Sequence, residues 1–216
     1  MKPEPCPRLI DFFEAGTKLS YRKGEAIIRP SDEPNGIYYI KSGFVRAYTI
    51  TKYGEENSLI IRHKGEIFPM IWAFTGDHRD VTYESMCESI ILRQSRDAYI
   101  DFLTKNPDAT RSVLDMAIEM YRVHSERVNN LSYRTVRERI ISFLLISCER
   151  FGKVQKNGVV LIDAPIRHHD IASSISTTRE TATRELNSLI RKGLIKNNHQ
   201  RIYVIDKQAL KNLLSD

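Results

Sequence analysis

With 216 residues, 41% of them hydrophobic, the chain carries enough apolar material for one large domain or two smaller ones. Its formal net charge is +6, and residues 135–216, with 14 Lys/Arg against 8 Asp/Glu, hold that whole excess, while residues 1–134 balance at 19 each. A basic excess confined to one segment is the electrostatic footprint of a phosphate-binding module. No signal peptide and no run near the roughly 18 apolar residues of a membrane span is found, so a cytoplasmic protein without membrane contact is expected.

Cys6, Cys87 and Cys148 are odd in number and far apart, which suits reduced thiols and makes no metal-type pair. The chain has no phosphate-binding glycine loop, no His-Glu-x-x-His and no Cys-x-x-Cys. Neither an enzyme nor a metal site is expected, and no cofactor follows from the residues.

A short helix from Leu9 to Ala15, ended by Gly16, opens the chain. Glycines then punctuate it at Gly24, Gly36, Gly43, Gly54, Gly65 and Gly76, the last four 11 residues apart. Between them lie β-branched and aromatic runs: Ile37–Ile40, Phe44–Ile50, Ser58–Ile61 and Glu66–Phe68, with Ser89–Leu92 to close the set. Short strands at that spacing indicate an antiparallel barrel or sandwich.

At Asn106-Pro107-Asp108 the pattern changes to an N-cap, a proline at the first helical position and an acid in the first turn. Leu114, Ala117, Tyr121, His124, Val128 and Leu131 then recur at spacings 3-4-3-4-3, the seam of a two-stranded coiled coil, so a homodimer is expected. The alternative is an amphipathic helix lying on its own domain. The helix should break near Ser132-Tyr133-Arg134, because Thr135-Val136-Arg137-Glu138 fits a capping box. Ile140, Ile141, Leu144 and Leu145 give the next helix its apolar face, and a strand follows at Val159–Ile162.

The segment 170–186 contains two short helical patterns separated by a tight turn. Ala172 is small where the helices cross, Ile171 and Ile175 face the core, and Ala182, Leu186 and Leu189 form the second helix's apolar stripe. Thr178 is its expected N-cap, which puts Arg179 and Glu180 at the end where a recognition helix meets base edges. Arg179 and Arg184 can each bond guanine O6 and N7, and Glu180 can accept from a cytosine amino group. The chain continues through Arg191–Ile195 and Arg201–Ile205, two strands around Asn197–Gln200, which together make a wing. Double-stranded DNA is the expected partner; a ligand-binding module whose helix-turn-helix merely packs is the alternative.

Over nearly its whole length the chain resembles the bacterial family of the cyclic-AMP receptor protein and the fumarate-nitrate reductase regulator, CRP/FNR. The likeness rests on the glycine-punctuated strands, the heptad helix, Arg179-Glu180-Thr181 and the wing. It implies an α+β chain: an antiparallel cyclic-nucleotide-binding-like β-roll over 1–106, a dimerisation helix and hinge over 107–133, and a winged helix-turn-helix over 134–216. It also implies a transcription regulator that reads a palindromic, TGTGA-like site as a homodimer, with RNA polymerase as partner if it activates. Arg179, Glu180 and Arg184 would read bases; Thr178, Thr181, His168, Lys192 and His199 would hold phosphates. Ser176 departs from the family pattern, standing in the turn where glycine is usual.

Cyclic-nucleotide-binding relatives hold their ligand through a Gly-Glu pair and, about ten residues on, an Arg-Ser pair. Here Pro69-Met70 and Asp80-Val81 stand at those places. A carboxylate repels a phosphate at close range, so control by cyclic AMP is not expected, although Arg79 lies one residue away. The effector is left unidentified, with Met70, Trp72, His78, Arg79, His124 and Ser125 as candidate pocket residues. Iron–sulfur relatives use four cysteines where this chain has three; for a haem-sensing variant of the family, His63, His78 or His124 could supply an axial ligand, but no pair has diagnostic spacing.

Overall fold

The computed structural model describes residues 4–198 and 201–214. The chain divides into two compact units, residues 1–121 and 122–216. Helix and antiparallel sheet share both.

The first unit opens with α1 (Pro7–Glu14) and continues as strands β1 (Thr17–Tyr21), β2 (Ala26–Ile28), β3 (Ile37–Ser42), β4 (Phe44–Ile50), β5 (Glu56–His63) and β6 (Ile67–Phe68). A short helix, α2 (Met70–Thr75), separates these from β7 (Thr82–Ser85) and β8 (Ser89–Gln94), and α3 (Arg96–Lys105) follows. The strands form two four-stranded sheets, ordered β1-β8-β3-β6 and β2-β7-β4-β5. Every pairing is antiparallel, including β1 with β8, where Thr17 faces Arg93 and Tyr21 faces Ser89. Along β4, Val45 and Ala47 are buried while their neighbours are half-exposed, the period-two pattern of a strand with one face inward. Gly43 turns β3 into β4 at φ +96°, where a Cβ would lie 2.1 Å from Ser89 Oγ, so only glycine fits.

Two apolar clusters hold this unit. Ile28, Tyr38, Ile40, Val45, Phe68 and Ile91 fill the space between the sheets, with the Phe68 ring stacked between Tyr38 at 5.3 Å and Tyr83 at 4.8 Å. The second cluster joins Leu9 and Phe13 of α1, Trp72 and Ala73 of α2, and Tyr99 and Leu103 of α3 to the helix that follows.

That helix, α4 (Pro107–Tyr133), has two apolar stripes. Ala109, Val113 and Met116 belong to the second cluster, and Met120 and Val123 continue the same 4-3-4-3 row in buried positions. On another face Leu114, Ile118, Tyr121 and Val128 are 52, 60, 72 and 62% exposed, while Ala117, His124 and Leu131 are half-buried. Among the described residues no helix is long and apolar enough to cross a membrane.

The second unit begins in the last turns of α4. Thr135 caps α5 (Val136–Phe151) through the reciprocal pair with Glu138 that its sequence announces, so the chain breaks between Tyr133 and Val136. Ile140, Ile141, Leu144 and Leu145 are buried along α5. β9 (Gly152–Val154) and β10 (Val160–Ile162) lead to α6 (His168–Ser174) and α7 (Arg179–Arg191). β11 (Ile195–Asn198), β12 (Arg201–Val204) and α8 (Lys207–Asn212) complete it, with the sheet ordered β11-β12-β10-β9. Cys6, Cys87 and Cys148 are all free thiols.

Candidate nucleic-acid interface

The turn between α6 and α7 decides what α7 can reach. Ser176 lies at φ +53°, the left-handed conformation that glycine adopts most readily, and Thr177 N–H donates to Ala172 O at 3.0 Å to close the turn. Two guanidinium groups grip the preceding helix end: Arg127 Nε donates to Ser174 O at 2.9 Å and Arg139 Nη1 donates to Ile175 O at 3.0 Å. They satisfy carbonyls that the end of α6 leaves without intrahelical partners.

Thr178 caps α7 by accepting from Thr181 N–H at 3.2 Å, and its hydroxyl donates to that of Thr181 at 3.0 Å. Ala182, Leu186 and Leu189 are buried, as their spacing requires, and pack the helix inward. The opposite side is an open groove lined by Arg179, Glu180, Thr183, Arg184, Asn187 and Arg191. At 3.6 residues per turn these six fall within an arc of about 140°, with three positive groups against one negative. Glu185 is drawn off this face by Arg137 of α5, whose Nε donates to it at 2.9 Å, so the Arg184 side chain stays 72% exposed with Glu185 only at 3.9 Å.

Lys192 is exposed and ends α7 as its C-cap. Lys196 and Arg201 are exposed on the two wing strands. His199 lies outside the described residues. His168 is half-buried at the start of α6, with Nδ1 3.0 Å from Thr183 Oγ1 and Nε2 3.4 Å from Asn197 Nδ2. Burial, then the charge of Arg179, holds its pKa below the ordinary histidine value. Thr183, Asn187 and Arg191 were not expected from sequence; they extend the row of Arg179 and Glu180 by successive helical turns, a signal the spacing contains.

The candidate effector residues fall on separate stretches. Met70 and Trp72 lie on α2 and pack into the cluster shared with α1, α3 and α4, with Arg96 Nε donating to the carbonyls of Trp72 and Ala73. His78 and Arg79 stand on an exposed loop, where His78 Nε2 lies 3.0 Å from Asp32 O. His124 and Ser125 lie on α4, the first half-buried and the second exposed. His63 meets Lys64 O through Nδ1 and Glu66 through Nε2. Among the described residues no group of three or more His, Cys, Asp or Glu is placed to hold a metal ion.

Two family models match the chain: a cyclic nucleotide-binding domain over residues 18–106 and a Crp-like helix-turn-helix domain over residues 138–213. The chain is 27% identical to the Global nitrogen regulator of Synechococcus elongatus, over 90% of this chain and 88% of that protein. It is 23% identical to the Cyclic AMP receptor protein of Thermus thermophilus, over 91% and 86% of the two. Among solved structures it resembles a CooA variant from Carboxydothermus hydrogenoformans (TM-score 0.80, 22% identity, 94% of this chain and 90% of that one). FixK2 from Bradyrhizobium japonicum matches with TM-score 0.79, 22% identity and coverage of 92% and 97%. With β-sheet unit, long helix and helix-turn-helix in this order, the chain belongs to the CRP/FNR family of DNA-binding transcription regulators.

Proposed function

We propose that the protein binds a palindromic DNA site as a homodimer, inserting α7 of each protomer into the major groove. The observation that carries this reading is the open, basic face of α7 opposite its buried stripe. In this proposal Arg179 and Arg184 read guanines and Glu180 a cytosine, the pairings that their side-chain chemistry supports. Thr178, Thr181, Lys192 and His199 are the proposed phosphate contacts. A two-fold pair of such helices reads half-sites whose centres lie about 34 Å apart, and a TGTGA-like half-site suits the three side chains. The protein acts in the cytoplasm, and if it activates, RNA polymerase is its partner there.

Selection from randomised DNA tests this. An inverted repeat with guanines in each half is expected, and Arg179→Ala should cost about 1–3 kcal/mol per half-site and relax preference at one base pair. A non-palindromic consensus, or unchanged preference in Arg179→Ala, would refute it.

Cyclic AMP is not the proposed effector. The residues at its usual contacts do not suit it: Pro69 and Val81 are buried and apolar, Asp80 is an exposed carboxylate, and aromatic rings occupy the space between the sheets. Calorimetry should show no micromolar binding of cyclic AMP; such binding, coupled to tighter DNA affinity, would overturn this.

A further inference from the structure

The ring of His168 touches elements that the DNA-binding reading places against the duplex. It starts α6, meets Thr183 on α7 through Nδ1, and meets Asn197 on β11 through Nε2, at 3.0 and 3.4 Å. Thr183 is one turn beyond Arg179 and lines the same groove. Neutral imidazole has one donor and one acceptor. With the Asn197 amide donating to Nε2, the ring proton sits on Nδ1 and is donated to Thr183. Both nitrogens are then used within the protein, and neither offers an N–H to a phosphate.

We propose that His168 is a positioning residue: as a neutral imidazole it ties the wing to the recognition helix and so sets the wing's grip on the DNA backbone. This rests on the DNA-binding reading above and replaces, for His168, the role of direct phosphate contact. Protonation would put a hydrogen on Nε2 facing an amide that is itself donating, and would set a positive ring beside Arg179. The surrounding charges do not relieve this. On α7 the group that acts on the ring is Arg179. On α6 the Asp170 carboxylate already accepts from the Arg167 N–H at 2.7 Å, and His169 is exposed. On β11 the neighbour of Asn197 is the exposed cation Lys196.

The two roles predict opposite pH dependence. A folded-state pKa held below the ordinary value keeps the ring neutral at pH 7, and the linkage is lost as pH falls through that lowered pKa. DNA affinity therefore falls on acidification if the ring is a link. A histidine that contacts phosphate takes up a proton on binding, so its contribution rises on acidification.

The test is fluorescence-anisotropy titration of a selected duplex by full-length protein between pH 5.5 and 8 and at several salt concentrations. Wild type is compared with His168→Leu, Asn197→Ala and the double variant. At pH 8 each single variant should bind about 3- to 10-fold more weakly per half-site, the equivalent of one net hydrogen bond. The salt slope should drop by about one as wing cations disengage, the selected consensus should not change, and the double variant should be no worse than the singles, since both remove one link. Wild type should lose affinity relative to His168→Leu as pH falls. Asn197→Ala alters only an exposed wing residue, so it reports even if His168→Leu folds poorly. Wild-type affinity that rises on acidification relative to His168→Leu, or additive single effects, or unchanged affinity in Asn197→Ala, would overturn the linkage alone. Failure of wild type to bind any selected duplex would overturn the DNA-binding reading itself.

Discussion

Replacing Tyr121 and Val128 together by glutamate removes two of the exposed apolar side chains on α4 and puts four carboxylates into the proposed seam of a dimer. Full burial of such a side chain is worth roughly 1.5–3 kcal/mol. Exposed fractions of 72 and 62% leave most of that to be gained on association. Over two protomers the loss is about 4–8 kcal/mol, before any repulsion between carboxylates facing each other across a two-fold axis. At 1.4 kcal/mol per tenfold, the dimer Kd should rise by a factor of about 10³ or more. Sedimentation velocity across a concentration series measures this directly, and circular dichroism checks that α4 persists. A variant that stays dimeric at micromolar concentration, with its Kd moved less than about tenfold, would show that the dimer does not form on this face.

Two further outcomes follow from local geometry. Ser176→Gly should stabilise the second unit by about 0.5–1 kcal/mol, the net of relieved left-handed strain and the entropy glycine loses, whereas Ser176→Val should destabilise it by about 1–2 kcal/mol. Ser176 is exposed, so packing does not confound the comparison, and equal calorimetric transitions for the two variants would refute the left-handed turn. Tyr99 is fully buried, burial holds its phenol well above the ordinary range, and its hydroxyl has no hydrogen-bond partner among the described residues. Tyr99→Phe should therefore stabilise the first unit by about 1–2 kcal/mol. Trp72, the single tryptophan, lies in the same cluster and reports that unit's urea transition by fluorescence; a lower midpoint would sink the argument.

The helical parts of this fold were legible because their signals are local. The capping box at Thr135 and Glu138, the stripe of Ala182, Leu186 and Leu189 and the cap at Thr178 each lie within a few turns of chain, and each stands where its spacing puts it. The strands with strong β-branched runs, β3, β4 and β5, were legible for the same reason. β1 was not: Thr17–Tyr21 has little apolar content, and what makes it a strand is β8. β2 and β7 likewise depend on partners remote in sequence. α3 could have been read, since Ser95 accepts from Ala98 N–H and Asp97 stands in the first turn. On α7 the open face with Arg179 and Arg184 followed from the motif, while the place of His168 did not, because its partners lie 15 and 29 residues away. Ile118 falls outside a seam counted strictly in heptads, yet its exposure lies between those of Leu114 and Tyr121.

The pairing of β1 with β8 also bears on the order in which the chain can fold. The first sheet cannot form until both strands exist, and Thr17 must wait for Arg93. At synthesis rates of roughly 5–20 residues per second, β1 remains without its partner for about 4–15 s. The delay is shorter in the C-terminal unit: α6 packs on α7, and β11 on β12, across short stretches of chain, and Val160 of β10 lies 44 residues before its partner Val204, against 76 between Thr17 and Arg93. Contacts of low sequence separation form quickly, whereas distant strand pairing must first close a long loop. During each round of translation the first unit is therefore the slower part to mature and the more exposed to edge-to-edge association. The polar β1, with Thr17, Lys18 and Ser20 exposed along it, is a sequence well suited to that wait.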